Sequence, residues 1–291
     1  MEGILNTIKR KFRTGTTLDK LIYINVGVFI FFSILDVLSF MFQFETNAIL
    51  NTLYLPSNLD ILAQQPWAFI TYMFLHNDFL HLLFNLIWLH FGGKLFLQSL
   101  TSQQLLHTYI LGGVSGGILF VISYNYVPVF EMLAYDVSAV GASASVFAIM
   151  IAIATYTPNY SVQFPFIGPV RLKHIAIFMI AIDILSIPKG NAGGHIAHIG
   201  GAIFGYIYIR RMRGIKISDI FFPLSRKFTH LFQGKRHPKR TRNRAKSDFY
   251  FNTEKVRQQK EVDKILEKIA KSGYESLNKE EKATLFNASK K

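Results

Sequence analysis

An all-α, polytopic membrane fold with six transmembrane helices and a helical cytosolic tail is predicted by three features of the sequence. The chain is 50% hydrophobic and only 17% charged over 291 residues, too apolar for a water-soluble domain of that length. Charge is also segregated. Between positions 21 and 209 there are four basic residues (Lys94, Arg171, Lys173, Lys189) and seven acidic ones, whereas the region beyond is dense in Lys and Arg. Within the low-charge region, polar and Pro/Gly-rich breaks separate six apolar runs, the longest close to the about 20 residues a helix needs to cross a bilayer.

The expected spans are 21–42, 79–97, 105–124, 140–156, 174–185 and 193–209. A basic segment, 1–20, precedes the first. That first run is too long for a signal-peptide core and lacks a small-residue cleavage site after it, so a retained anchor is expected. The loop at 43–78 carries Leu53, Tyr54, Leu55, Trp67, Phe69 and Phe74, a composition suited to the membrane interface and to a short amphipathic element. In span three, Gly112, Gly113, Gly116 and Gly117 form two overlapping small-xxx-small repeats, which read as helix packing. Span five is the shortest and carries Asp183, to which the sequence assigns no role beyond access to water near the outer end. His90 and His107 fall near the inner ends of their spans and read as interfacial.

Orientation follows from positive charge, which accumulates in short cytoplasmic loops. Six spans put both termini on one side. That side then holds five basic residues in the N-terminal segment, one between spans two and three, two between spans four and five and 23 after span six, leaving only Lys189 outside. Both termini are therefore expected in the cytoplasm.

The absence of cysteine excludes thiol nucleophiles, disulfides and Cys-based zinc sites. Polar residues within apolar spans remain as candidates for chemistry, because hydrocarbon makes them costly. His81 and Asn85 are four apart in span two and share a helical face. Ser143 lies in the small-residue run Gly141, Ala142, Ser143, Ala144, Ser145. His198 lies in span six, where Ala197, Gly201 and Gly205 form a smooth ridge for a close helix crossing. Spans two, four and six all enter from the outer face, and these residues share a depth of roughly 4 to 10 Å below it at 1.5 Å per residue. A serine hydroxyl needs a base within hydrogen-bond reach to become a nucleophile, and Ser143 with His198 supplies that pair. His81, Asn85 and the backbone N–H of Ser143 can serve as donors to an oxyanion.

With these residues in hand, the sequence resembles the rhomboid intramembrane proteases across nearly the whole six-span region. The resemblance is carried by His76, by His81-x-x-x-Asn85, by Gly141-x-Ser143, and by Ala197-His198-x-x-Gly201-x-x-x-Gly205. It implies a six-helix domain at 21–211 in the plasma (bacterial inner) membrane, with Ser143 as nucleophile and His198 as general base. His81 and Asn85 assist the oxyanion, and Phe147, four residues after the serine, stacks on the catalytic imidazole. It further implies cleavage of membrane-anchored substrates within their transmembrane segments near the outer end, with no cofactor and no metal. Two positions depart from the family pattern: Ala144 stands where many relatives have Gly, and Ala68 where many have Arg. The second is expected to loosen the outer loop or alter substrate docking.

Other residues invite plainer readings. Ser145 is about 200° around the helix from Ser143 and reads as packing. His195 and His198 are three apart, but a metal site is not expected without Cys or a carboxylate in that motif; a hydrogen-bonded structural histidine is. His76 is expected to anchor the outer loop by hydrogen bonding. An inactive rhomboid-like protein that binds client transmembrane helices is the alternative class, and an intact serine and histidine weigh against it.

A basic linker at 212–246 and a helical tail at 247–291 complete the chain. The run at 235–246 is expected to meet anionic lipid headgroups, worth about 1 kcal/mol per basic residue near the surface. Nucleic acid is not an expected partner, because no base-stacking aromatics interleave that run. In the tail, Val262, Ile265, Leu266 and Ile269 have helical spacing, Gly273 fits a C-cap, and Asn278 with Glu281 forms a capping box before Leu285 and Phe286.

Overall fold

A computed structural model describes residues 6, 12–132, 137–165, 167–214, 264–269, 273 and 276–282. It divides into two units, one up to Ser225 and one from Arg226. The basic runs at 9–11 and 235–246, and Val262, Leu285 and Phe286, lie outside the described residues.

The first unit contains all six predicted helices: α1 (Thr17–Phe42), α2 (Phe79–Ser99), α3 (Ser102–Tyr126), α4 (Ser143–Tyr156), α5 (Leu172–Ser186) and α6 (Ala192–Met212). Their ends are set by local chemistry that the apolar runs alone do not display. Thr16 and Asp19 form a capping box ahead of α1, and Thr101 with Gln104 forms another ahead of α3. Asp78 caps α2 by accepting from His81 N–H at 2.8 Å. Asn191, in the left-handed region at φ 49°, caps α6 by accepting from Gly194 N–H.

Helices α1, α2 and α3 are each long and apolar enough to cross a membrane. Their outward residues are large and apolar: Phe31, Phe40 and Phe42 on α1 are 56%, 86% and 69% exposed, as befits a surface solvated by lipid. Helix α4 is different. Ten of its 14 residues are buried, and α2, α3, α5 and α6 all pack on it. At 1.5 Å per residue it is about 21 Å long, short of the about 30 Å hydrocarbon core.

Small residues make these crossings close. A side-chain carbon on Gly201 would sit 2.0 Å from the Ala144 carbonyl oxygen, and one on Gly205 would sit 2.2 Å from that of Ala148. On α3, a carbon on Gly112 would meet the Ala148 side chain at 2.2 Å, and one on Gly116 would meet Ala144 at 2.5 Å. The glycines of span three are thus packing residues, as the sequence suggests. Gly116 also provides the room for Ala144, the residue that departs from the family pattern.

The all-α prediction needs one addition. Two short antiparallel ribbons accompany the helices: β1 (Leu55–Pro56) with β2 (Ser138–Ala139), and β3 (Ser161–Phe164) with β4 (Gly168–Arg171). The first joins the loop at 43–78 to the segment entering α4, a long-range pairing that no local pattern announces. Short helices at Asn47–Leu53, Leu59–Gln64 and Ala68–Thr71 fill the rest of that loop. Around Ala68, which is fully buried, Trp67 Nε1–H, the Thr71 hydroxyl and Gln65 donate to the carbonyls of Thr52 (2.8 Å), Leu53 (2.7 Å) and Asn51 (3.3 Å).

In the second unit, residues 264–269 are helical and Gly273, at φ 76°, donates its N–H to the Ile269 carbonyl at 2.9 Å, the C-cap expected there. Asn278 and Glu281 exchange backbone-to-side-chain hydrogen bonds of 2.8 Å each, completing the capping box. Lys268 bridges to Glu281 at 2.8 Å and, with the Asn278 backbone, holds that carboxyl below its ordinary range.

Candidate active site

A cavity of about 1210 Å³ opens between α2, α4, α5 and α6, and Ser143, His198, His81, Asn85, Gly141 and Phe147 all line it. The sequence motifs, drawn from three spans, therefore converge on one space. Its walls are mostly apolar, with Phe84 and Trp88 from α2 facing the same space as Phe178 and Ile182 from α5.

Ser143 is the first residue of α4. Ala142 before it provides no side-chain cap, so the first N–H groups of the helix have no intrahelical acceptor. They concentrate positive potential beside the hydroxyl, as a developing anion requires. The turn into this helix depends on Gly141. Its φ is +122°, and a side-chain carbon there would lie 2.7 Å from Cε1 and Nε2 of His81. Gly141 N–H donates to the Tyr72 carbonyl at 2.9 Å, and the Tyr72 hydroxyl donates to the Gly113 carbonyl at 2.6 Å. Ser57 N–H donates to the Val137 carbonyl at 3.0 Å. The loop at 43–78 thus holds the segment that carries Ser143.

The imidazole of His198 is stacked on Phe147, with ring centroids 4.5 Å apart and planes inclined by 13°. No hydrogen bond joins Ser143 to His198 in this conformation among the described residues; Nδ1 of His198 contacts Asp183 Oδ1 at 3.0 Å instead, which leaves Nε2 as the unengaged nitrogen. Asn85 donates one amide proton to the His81 carbonyl at 2.8 Å and keeps the other. Gly201 and Gly205 bring α6 against α4, which fixes the level of His198 beside the start of α4. Ser145 is fully buried against Met73 and takes no part in the cavity lining, in keeping with a packing role.

His76 departs from expectation. Its ring packs edge-on against His81, 5.1 Å between centroids, but neither ring nitrogen has a hydrogen-bond partner within the described residues. It anchors by packing. Burial, reinforced by the neighbouring His81, pushes its pKa down to about 4, and the Phe74 backbone and Asp78 offset this only in part. The folded form then stays neutral where the unfolded chain, near pKa 6.5, takes up a proton. Stability is fully present above pH 6.5 and should fall as pH drops from 6.5 toward 4, by up to about 1.4 kcal/mol per pH unit. Thermal unfolding of His76→Gln across that range should show a flatter pH dependence than wild type; an equal slope would assign the loss to other groups.

Asp183 is the residue that the sequence reading passed over. It is 4% exposed, and its Oδ1 receives both His195 Nδ1 (2.5 Å) and His198 Nδ1 (3.0 Å). The carboxylate missing from the His195/His198 motif is supplied by another helix. An isolated acid in an apolar span, opposite two histidines at i and i+3, was the available signal.

The fold and this cavity define a polytopic helical membrane protein with a serine and a histidine in a pocket lined by its helices. Comparison with known families agrees: the rhomboid domain matches residues 63–214, more than half of the chain, and the protein belongs to the rhomboid family. Residues 247–291 match a family of unknown function (DUF6576). The chain is similar to the mitochondrial RHOMBOID-like protein 12 of Arabidopsis thaliana, 31% identical over 153 residues that make up 50% of this chain and 46% of that protein. It is also similar to the rhomboid protease AarA of Providencia stuartii, 30% identical over 150 residues, 48% of this chain and 53% of that one. The chain spans about half the length of the curated relatives it matches.

Proposed function

We propose that this chain is an intramembrane serine endopeptidase, cleaving transmembrane segments of membrane-anchored proteins near their outer ends. The observation that carries the reading is the convergence of Ser143, at the uncapped start of α4, and His198, braced by Phe147, on one cavity. Helices α2 and α5 line that cavity with apolar side chains yet barely touch one another, which suits lateral entry of an apolar helix.

In the proposed reaction, His198 Nε2 accepts the Ser143 proton as Oγ attacks the scissile carbonyl. The oxyanion takes hydrogen bonds from the N–H groups opening α4, from the free amide proton of Asn85 and from His81. His198 then donates its proton to the leaving amine, the C–N bond breaks, and an acyl-enzyme remains. A water, deprotonated by His198, attacks that ester and releases the carboxylate and free Ser143. Every step is proton and acyl transfer among groups of the chain, substrate and water. The Ser143–His198 hydrogen bond forms when substrate closes the cavity, since such bonds are often long in unliganded enzymes. The protein is proposed to sit in the plasma membrane with both termini cytoplasmic, and the basic run at 235–246 to rest on anionic headgroups.

Incubation of the purified protein in liposomes with a fluorescently labelled transmembrane substrate tests this. Cleavage by wild type and none by Ser143→Ala is expected; binding without cleavage in both would favour the client-binding alternative and sink the protease reading. Asn85→Ala should lower kcat by about 10²–10³-fold, the usual cost of one oxyanion donor. An unchanged kcat would remove Asn85 from the site.

A further inference from the structure

We propose that Asp183 is a positioning residue for His198, making the operative unit Ser143, His198 and an acid contributed by α5. The proposal rests on the serine protease reading above. Three observations carry it. The carboxylate is buried at 4% exposure and meets His198 Nδ1 at 3.0 Å. Its other oxygen, Oδ2, is buried with no hydrogen-bond partner among the described residues, so the hydrogen bonding of the group is concentrated on the atom that faces the two histidines. Finally, it is the sole acidic residue in α5 or α6.

An ionised carboxylate can only accept, so it selects the histidine tautomer with the proton on Nδ1. That tautomer leaves the Nε2 lone pair free for the serine proton; the other tautomer cannot act as a base. Phe147 holds the face of the imidazole and Asp183 holds its edge, so the ring is constrained in both orientation and proton placement before substrate arrives. His195 Nδ1 contacts the same oxygen at 2.5 Å but, unlike His198, does not line the cavity. The three groups could also suggest a metal site. A tetrahedral ion with ligand bonds of about 2.1 Å separates its donor atoms by about 3.4 Å. Contacts of 2.5 and 3.0 Å are those of hydrogen bonds.

The test compares Asp183→Asn, Asp183→Ala and His195→Ala with wild type and Ser143→Ala in the liposome assay, full-length chain throughout. Asp183→Asn is isosteric but no longer acceptor-only; kcat should fall about a hundredfold with KM changed less than about twofold. Sodium formate should restore part of the kcat of Asp183→Ala by returning a carboxylate to the cavity, while equal sodium chloride does not, and neither salt should raise wild type or Ser143→Ala. His195→Ala should stay within about threefold of wild type, because the Asp183–His198 contact survives. The inference is overturned by an undiminished kcat in Asp183→Asn, by loss without formate rescue, or by an equal loss in His195→Ala. It is also overturned if chelation abolishes wild-type activity and zinc restores it. Cleavage by Ser143→Ala, or none by wild type, sinks the underlying protease reading; the outcomes above, with wild type active, sink only the role of Asp183.

Discussion

Replacing Ser143 with Ala is expected to abolish cleavage while leaving the fold intact. The Ser143 hydroxyl makes no hydrogen bond among the described residues, so its removal takes nothing from the packing of α4. What it takes is the proposed nucleophile, and without it no acyl-enzyme should form. Loss of a catalytic serine costs about 10⁶-fold in kcat where measured in soluble proteases; a loss of at least about 10⁴-fold is expected for Ser143→Ala. His198→Ala should lose as much, and the double variant no more, because the two groups act on one proton. Thermal unfolding in detergent should place Ser143→Ala within experimental error of wild type. Additive losses in the double variant would show that the two residues do not form one unit.

The second large effect is expected from Gly201→Ala, one methyl group added at a residue that does not line the cavity. Its carbon would lie 2.0 Å from the Ala144 carbonyl oxygen, a backbone atom in the first turn of the most buried helix. Real side chains essentially never approach closer than 3.0 Å, so α6 and α4 must part by about 1 Å. Overpacking of this kind costs about 1–3 kcal/mol, which lowers the unfolding temperature. The same shift carries His198 away from Ser143, and about 1 Å of misplacement costs about 10²-fold in rate. Ile203→Ala, at a position 46% exposed on the same helix, should change neither quantity. Equal effects of the two substitutions would refute the close-crossing argument.

Much of this site was legible in the sequence because its residues are exceptions to their surroundings. His81, Asn85, Ser143 and His198 are polar groups in apolar runs, and the topology expected from positive charge puts them at one depth. The small residues beside them were legible too, because only a missing side chain permits backbones to approach so closely. Asp183 was equally exceptional, yet its partners are 12 and 15 positions away on another helix, and no periodicity links residues across a turn whose geometry is unknown. His76 failed for the opposite reason. A histidine before a span suggests a hydrogen bond, and whether its nitrogens find an acceptor depends on what packs around it.

By itself the sequence determined six apolar helices, the side of the membrane on which the tails are expected, and the residue types available for chemistry, because hydropathy, charge and composition act along the chain. Tertiary structure decided which of those residues meet. It brought the loop at 43–78 to the start of α4 through β1 and β2, and set an acid from α5 against two histidines of α6. Such contacts join segments far apart in sequence, and they are fixed by how glycine-lined helices pack, which no local pattern encodes.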